Sequence, residues 1–190
     1  MKHTLPIILG TTLLLAACGG SSAEVACDQQ YWDGTVGTCL PQGWSVIDRA
    51  TLVERGLPQE VTVGFQAATA VSGQFPTVAV TTETLADPID AAAYSEASIR
   101  SVTVLPKYTL VDTRPVTVEG QEVQIHIFTA QPVAEEPERR FHQVSTVHGN
   151  NGYTFTALTP VSVDSDLEEQ VLLILEHMTF TEPVAEEAAE

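Results

Sequence analysis

Four consecutive runs of β-forming residues in the second half of the sequence constrain the fold more than any other feature. These runs are residues 108–118, 122–130, 141–148 and 153–158. Glu119-Gly120 separates the first two runs and Gly149-Asn150-Asn151-Gly152 separates the last two, and both suit tight hairpin turns. The pattern therefore predicts an antiparallel meander. Because Pro115 has no N–H to donate, its strand is expected at a sheet edge or a bulge.

The first half of the chain predicts further strands. Residues 35–40 and 44–47 flank Pro41-Gln42-Gly43, a turn-forming triplet, and this arrangement predicts a hairpin. Residues 61–65 and 77–82 are rich in valine and threonine and predict two more strands.

Two segments lose the alternation of strands and predict helices. Residues 91–104 follow Asp87 and Asp90, either of which suits a helix N-cap, and the helix is expected to end before Pro106. A second helix begins near Asp164, because acidic residues favour the positive end of the helix dipole. Its predicted apolar stripe consists of Leu167, Val171, Ile174, Leu175 and Met178. The alternative, a calcium loop, requires glycine where Glu169 stands.

Length and charge set the class of protein. With 190 residues, the chain suits a single α+β domain, an antiparallel sheet flanked by helices. Acidic residues outnumber lysine and arginine 25 to 8, for a formal net charge of −17. Such a chain has no broad cationic surface to replace the counterions of a phosphate backbone, so nucleic acid is excluded as a partner.

The N-terminus has the pattern of a lipoprotein signal peptide over residues 1–17. Lys2 precedes an apolar run, residues 5–15, which is too short to remain as a membrane-spanning helix. The run ends in Leu15-Ala16-Ala17-Cys18, which resembles the lipobox of bacterial lipoproteins. This resemblance implies cleavage after Ala17 and acylation of Cys18, palmitate being one such acyl group. The alternative is an ordinary secretory signal, cleaved near residues 22–23.

The resemblance also predicts a location, the bacterial cell envelope. Residues 18–26 would form the acylated cysteine and a flexible tether, with lipid on Cys18 as the contact with the membrane. Gly19 follows the cysteine where aspartate would signal retention in the inner membrane. The outer membrane is therefore expected in a host that has one, and the outer face of the cytoplasmic membrane otherwise.

The other two cysteines predict a disulfide. Cys27 and Cys39 form an even pair in an exported, oxidising compartment. The alternative, two thiols that bind a metal, lacks the Cys-x-x-Cys spacing and a nearby histidine.

Several short motifs resemble the Mog1/PsbP-like fold of small bacterial lipoproteins of the LpqN and DcrB type. They are Pro41-Gln42-Gly43-Trp44, the Val118-Glu119-Gly120-Gln121 turn with residues 123–127, residues 153–157, and Met178-Thr179-Phe180 after the last helix. The likeness covers residues 36–181 and implies an α-β-α sandwich with non-enzymatic accessory or binding roles. The single domain is expected over residues 27–181, followed by an acidic disordered tail at 182–190.

The sequence offers only weak candidates for catalytic or metal-binding residues. Motifs for serine hydrolases, zinc proteases and phosphate-binding loops are missing from the sequence, so a hydrolase is the least favoured interpretation. His126, His142 and His148 lie on adjacent predicted strands and could form a zinc trio, although strand histidines are more often solvent-facing or hydrogen-bonded. Aromatic residues could line a ligand groove, with core packing the more common role; they are Tyr31, Trp32, Trp44 and Phe65.

These observations favour a lipid-anchored extracytoplasmic module that binds rather than catalyses. A protein partner at the envelope is the leading expectation, and no cofactor is expected. The alternative is a carrier or sensor of a small apolar or metal ligand, which would require an internal pocket.

Overall fold

The computed structural model describes residues 25–183, which form nine strands and three helices. The strands are β1 (Gln29–Trp32), β2 (Gly37–Leu40), β3 (Trp44–Ile47), β4 (Val61–Ala67), β5 (Thr77–Thr84), β6 (Thr109–Val118), β7 (Gln121–Ala130), β8 (Arg139–His148) and β9 (Asn151–Pro160). The helices are α1 (Arg49–Glu54), α2 (Ala91–Val102) and α3 (Ser165–Glu176). The predicted signal peptide at 1–17, Cys18 with most of the tether, and residues 184–190 of the predicted tail lie outside the described residues.

Seven strands form one antiparallel sheet in the order β3-β4-β5-β9-β8-β7-β6. The predicted meander is confirmed, since β6 to β9 pair in sequence order. Glu119 and Gly120 turn between β6 and β7 with φ of 49° and 78°, the left-handed values of a tight hairpin. β6 is an edge strand, which accommodates Pro115 as expected.

The two faces of the sheet carry different layers. One face carries α3 together with the separate two-stranded sheet of β1 and β2. Tyr31 of β1 packs edge-on against Phe65 on this face, with ring centroids 5.1 Å apart. The other face carries α1 against β4 and α2 against β7 and β8. The result is the predicted α-β-α arrangement, and we call its two sides the α3 side and the α2 side.

The main hydrophobic core lies on the α3 side. The predicted stripe of α3 is buried there, from Leu167 to Met178 just beyond the helix end. The residues that it covers include Phe65, Val80 and Phe155, each no more than 1% exposed. Asp164 caps α3, accepting a hydrogen bond from the Leu167 N–H at 2.8 Å. Asp90 caps α2 in the same way, so α2 begins where the sequence predicted.

The predicted hairpin of residues 35–40 with 44–47 is wrong. The triplet at Pro41 does form a turn, with the Trp44 N–H donating to the Pro41 carbonyl at 3.3 Å. However, β2 pairs with β1, whereas β3 pairs with β4 in the large sheet. The turn therefore takes the chain from the two-stranded sheet into the seven-stranded sheet. Strand β1 and the short helix α1 were not predicted, because β1 has no β-branched residue and α1 spans only six positions.

Within residues 25–183, no helix combines the length and the apolar character needed to cross a lipid bilayer.

Candidate binding cleft

Three central strands present polar side chains toward the α2 side. Thr81 of β5, Thr154 of β9 and Ser145 of β8 are directly paired across the sheet, so they share this side. Gln143 and Thr156 form the neighbouring pair. The adjacent positions of the same strands point to the α3 side and are apolar: Val80, Phe155 and Val144. At these positions the three central strands are therefore polar on the α2 side and apolar on the α3 side.

No single helix covers this polar surface. Helix α2 packs on β7 and β8, and α1 packs on β4, which leaves much of β5 and β9 open between them. A cleft of about 520 Å³ lies beside α2 over β5 and β9. This volume is in the range of small-molecule sites. Its floor comes from β5, β8 and β9, one wall from α2, and one end from Glu60 just before β4.

A chain of hydroxyl groups joins α2 to the floor of the cleft. Ser145 Oγ donates to Ser98 Oγ on α2 at 2.8 Å, and it lies 2.9 Å from Thr154 Oγ1. Ser145 and Thr154 are buried, so their hydrogen bonds are shielded from water. The wall and the floor are thus held together by specific polar contacts.

Tyr94 closes one end of the cleft. Its hydroxyl donates to Glu83 Oε1 at 2.7 Å, and its ring lies directly over Gly152 of β9. A Cβ at position 152 would lie 2.3 Å from Tyr94 Cζ, so this close approach requires glycine. Burial, together with the hydrogen bond to Glu83, raises the pKa of Tyr94 to about 12. The phenol therefore stays protonated and continues to donate.

The side chains that line the cleft offer mainly acceptors and hydroxyls. Glu60 and Glu83 supply two exposed carboxylates, and lysine, arginine and histidine are missing from the lining. Gln143 Oε1 is buried and has no hydrogen-bond partner among the described residues. The cleft lining therefore carries negative charge and hydroxyl groups, and among the described residues it has no basic side chain.

The structure does not bring the three candidate histidines together. His126 is paired with Gln143 and faces the α2 side, where its ring nitrogen lies 2.9 Å from the Tyr108 hydroxyl. His142 is paired with Ile127 and faces the α3 side. His148 stacks on Phe180 at a centroid distance of 4.5 Å. Across residues 25–183, no three histidine, cysteine or acidic residues are grouped as a metal site.

His142 is instead a buried neutral side chain. It is fully buried, and neither ring nitrogen has a hydrogen-bond partner among the described residues. Burial, followed by the charges of Arg140 and Arg114, lowers the pKa of His142 to about 3. Both arginines pair with Glu168 of α3, at 3.4 and 3.0 Å. The ion cluster joins β6 and β8 to α3 beside an uncharged ring.

The cysteine pair and the aromatic residues belong to the α3 side. Cys27 and Cys39 are joined as a disulfide with their Cα atoms 5.5 Å apart, and Cys39 lies in β2. Thr38 beside it donates to the Ile174 carbonyl of α3 at 2.5 Å, tying the small sheet to the helix. Trp44 and Phe65 are buried in the core, which is the commoner of the two roles considered for the aromatics.

Sequence reasoning missed the cleft. The available signal was the alternation of threonine with apolar residues over residues 153–157 and the threonine and serine pairs at 81–82 and 145–146. A solvent-exposed sheet face gives the same alternation, so the pattern alone predicts no ligand site. The cleft arises where α2 lies beside β5 and β9, a position that depends on tertiary packing.

Comparisons with known proteins support the fold. No protein-family model and no curated protein matches the sequence. Among solved structures, the cyanobacterial PsbP protein CyanoP of Synechocystis sp. PCC 6803 matches with a TM-score of 0.56 and 16% identity, covering 88% of this chain and 99% of its own. LpqN of Mycobacterium tuberculosis matches with a TM-score of 0.57 and 15% identity, covering 77% of this chain and 83% of its own. The chain therefore has a PsbP/LpqN-like fold, an antiparallel sheet with flanking helices.

Proposed function

We propose that this protein is a lipid-anchored extracytoplasmic module that binds a component of the cell envelope and supports an assembly there. The observation that carries the proposal is the lipobox ending at Cys18, placed only nine positions before Cys27 at the start of the folded domain. Eight residues separate the two cysteines, and they reach at most about 29 Å when fully extended. The domain would thus be held close to the membrane.

The fold likeness supports an accessory role. LpqN, one of the two structures described above, is involved in cell envelope biogenesis of its organism. Transferring that role to this chain is a proposal, because at 15% identity the likeness itself is one of fold.

The charge of the domain supports a membrane contact made through the lipid. Removal of residues 1–17 takes away Lys2, so 25 acidic residues face 7 basic ones and the formal net charge becomes −18. An anionic domain is repelled by anionic lipid headgroups. Attachment therefore depends on the acyl chains rather than on the protein surface.

The attachment point of the tether would make the cleft face away from the anchor. The tether enters the domain at β1, on the α3 side, and the cleft opens on the opposite side of the sheet. An anchor attached to the α3 side leaves the α2 side free to meet an envelope component. The cleft offers hydroxyls, an amide and carboxylates, which bind ligands by hydrogen bonding.

A second candidate function is a carrier or sensor of a small molecule. The cleft itself favours it, since its volume and convergent polar groups resemble those of ligand sites. The polar lining favours a polar ligand over the apolar or metal ligand that the sequence suggested.

The anchor is tested by a single substitution in the native host. Cys18→Ser should move the protein from the detergent phase to the aqueous phase in phase partitioning, because no acyl chain would be attached. Cys39→Ser is the matched control: it removes the disulfide but keeps the anchor, so it should remain in the detergent phase. Unchanged partitioning of Cys18→Ser, with a mature N-terminus beyond residue 18, would contradict the proposal.

A further inference from the structure

Exposed apolar side chains are concentrated at one end of the seven-stranded sheet. At this end β3, β5, β6 and β8 begin and β4, β7 and β9 finish, and we call it the apolar end. Six side chains there, in the connections and in the first residues of β6, are 40–82% exposed: Phe75, Val104, Leu110, Val111, Val133 and Val161. The other exposed large apolar side chains among residues 25–183 lie in α1 or in connections at the opposite end: Val53, Leu57 and Ile89.

The tether joins the domain at the same end. Strand β2 ends at Leu40, whose carbonyl accepts the Asp28 N–H at 3.0 Å. Cys27, where the tether meets the folded domain, therefore lies beside the end of β2. The turn at Pro41 leads from there directly to Trp44, which begins β3 at the apolar end. The chain that would carry the lipid thus reaches the domain at the end where the apolar side chains are exposed.

The length of the tether limits the orientations open to the domain. Its eight residues reach at most about 29 Å. The ten-residue strands β8 and β9 span about 33 Å between the two ends of the sheet. A tether attached at the apolar end is therefore too short to bring the opposite end of the sheet to the membrane.

The chemistry of the apolar end suits the surface of a bilayer. Its exposed side chains are spread from β5 to β6, four strand spacings or about 19 Å, which fits a flat surface better than a single pocket on a partner. Lys107 is exposed three residues after Val104, and a lysine stem can lie on acyl chains while its ammonium group stays among headgroups. Glu135 and Glu136 are exposed at the same end, so neutral headgroups are favoured over anionic ones.

We propose that the apolar end of the sheet rests on the neutral headgroups of the membrane, with its exposed apolar side chains in the interface. This proposal rests on the lipid anchor proposed above and adds the part of the domain that meets the bilayer. The acyl chains hold the protein, and the apolar end orients it. The carboxylates of the cleft then point away from the membrane, because Glu60 and Glu83 lie at the opposite end of the sheet.

The orientation is tested with the full acylated chain in phosphatidylcholine vesicles whose headgroups carry a nitroxide quencher. A fluorophore is attached to a single added cysteine, since acylation of Cys18 and the disulfide leave no other free thiol. At Val133→Cys we expect at least about two-fold quenching, because the label would lie in the interface. At Ile89→Cys, an exposed apolar position at the opposite end, we expect almost none. Equal quenching at the two positions would overturn the proposal.

A matched pair of double variants tests the apolar side chains themselves. Phe75→Glu with Val161→Glu should at least about halve the quenching of a label at position 133, because carboxylates are costly to bring into the interface. Leu57→Glu with Ile89→Glu makes the same change in net charge at the opposite end and should leave that quenching unchanged. All four side chains are 36–49% exposed, so both variants should fold, and circular dichroism checks this.

Flotation of the protein with the vesicles tests the anchor separately. Protein that does not float would overturn the anchor, and the orientation with it. Protein that floats, but whose quenching is the same in the two double variants, would overturn the orientation alone. Flotation together with quenching that is confined to the apolar end would support both proposals.

Discussion

Replacing His142 with leucine should remove a specific sensitivity of the fold to acid. The folded protein keeps this ring neutral, with its pKa lowered from 6.5 to about 3 by burial and by Arg140 and Arg114. The unfolded chain has no such constraint and takes up a proton near pH 6.5. As pH falls from 6.5 toward 3, protonation therefore favours the unfolded state, and stability is lost over this window.

The magnitude follows from the two pKa values. At pH 5, which is about 1.5 units below the pKa of the histidine in the unfolded chain, protonation stabilises the unfolded state. The folded state gains no such stabilisation, so the free energy of unfolding falls by about 2 kcal/mol. At pH 7 the same contribution is close to zero. Wild type should therefore lose about 2 kcal/mol relative to His142→Leu between pH 7 and pH 5. At pH 7 the variant should be no less stable, because it removes two buried nitrogens without partners among the described residues.

Urea unfolding at pH 7, 6 and 5 measures this difference directly. Subtracting the variant's free energy of unfolding from that of wild type cancels the contribution of the carboxylates, which titrate in both proteins. The control variant, His177→Leu, replaces an exposed histidine at the end of α3. Its stability difference from wild type should change much less between pH 7 and pH 5. A stability difference between wild type and His142→Leu that stays constant from pH 7 to pH 5 would refute the reasoning.

Three further changes test other parts of the structure. Gly152→Ala should cost about 1–3 kcal/mol by forcing Tyr94 from its place, and adding Tyr94→Ala should recover part of that loss in urea unfolding. Cys27→Ser with Cys39→Ser should lower the free energy of unfolding by about 3 kcal/mol, from loop-closure entropy; equal stability of the oxidised protein and the double variant would contradict this. Glu119→Ala removes an exposed carboxylate that accepts the Phe180 N–H at 2.9 Å, and should lower the melting temperature by a few degrees; an unchanged melting temperature would show that the contact is energetically neutral.

The parts of the fold that could be predicted from the sequence are those with local causes. The turn at Glu119-Gly120 requires left-handed backbone, and the stripe on α3 requires helical spacing, so both can be read from neighbouring residues. The pairing of β3 with β4 is different. The Pro41 triplet indicates a turn, but it carries no information about which strand lies beside each of its arms. Strands β3 and β4 are separated in the chain by α1, so their pairing depends on how the whole sheet assembles.

The predicted grouping of the three histidines failed for a different reason, the register between neighbouring strands. His142 and His148 share a face because they lie six residues apart on β8, as expected from the alternation of strands. The face of His126 depends on its register with β8, and a shift of one residue reverses it. The structure pairs His126 with Gln143 rather than with His142, which places the two histidines on opposite sides of the sheet.

The central claim, that the protein acts as a module held at the membrane, is tested most directly by complementation of a deletion strain. One strain produces the natural protein, and the other exports a version whose mature chain begins at Gly19 and has no lipid. Protein abundance and circular dichroism are matched between the two, so that folding and dose are equal. Tethering raises the effective concentration at a membrane partner, so the account predicts that only the anchored protein restores the deletion phenotype. Full restoration by the soluble version would contradict it.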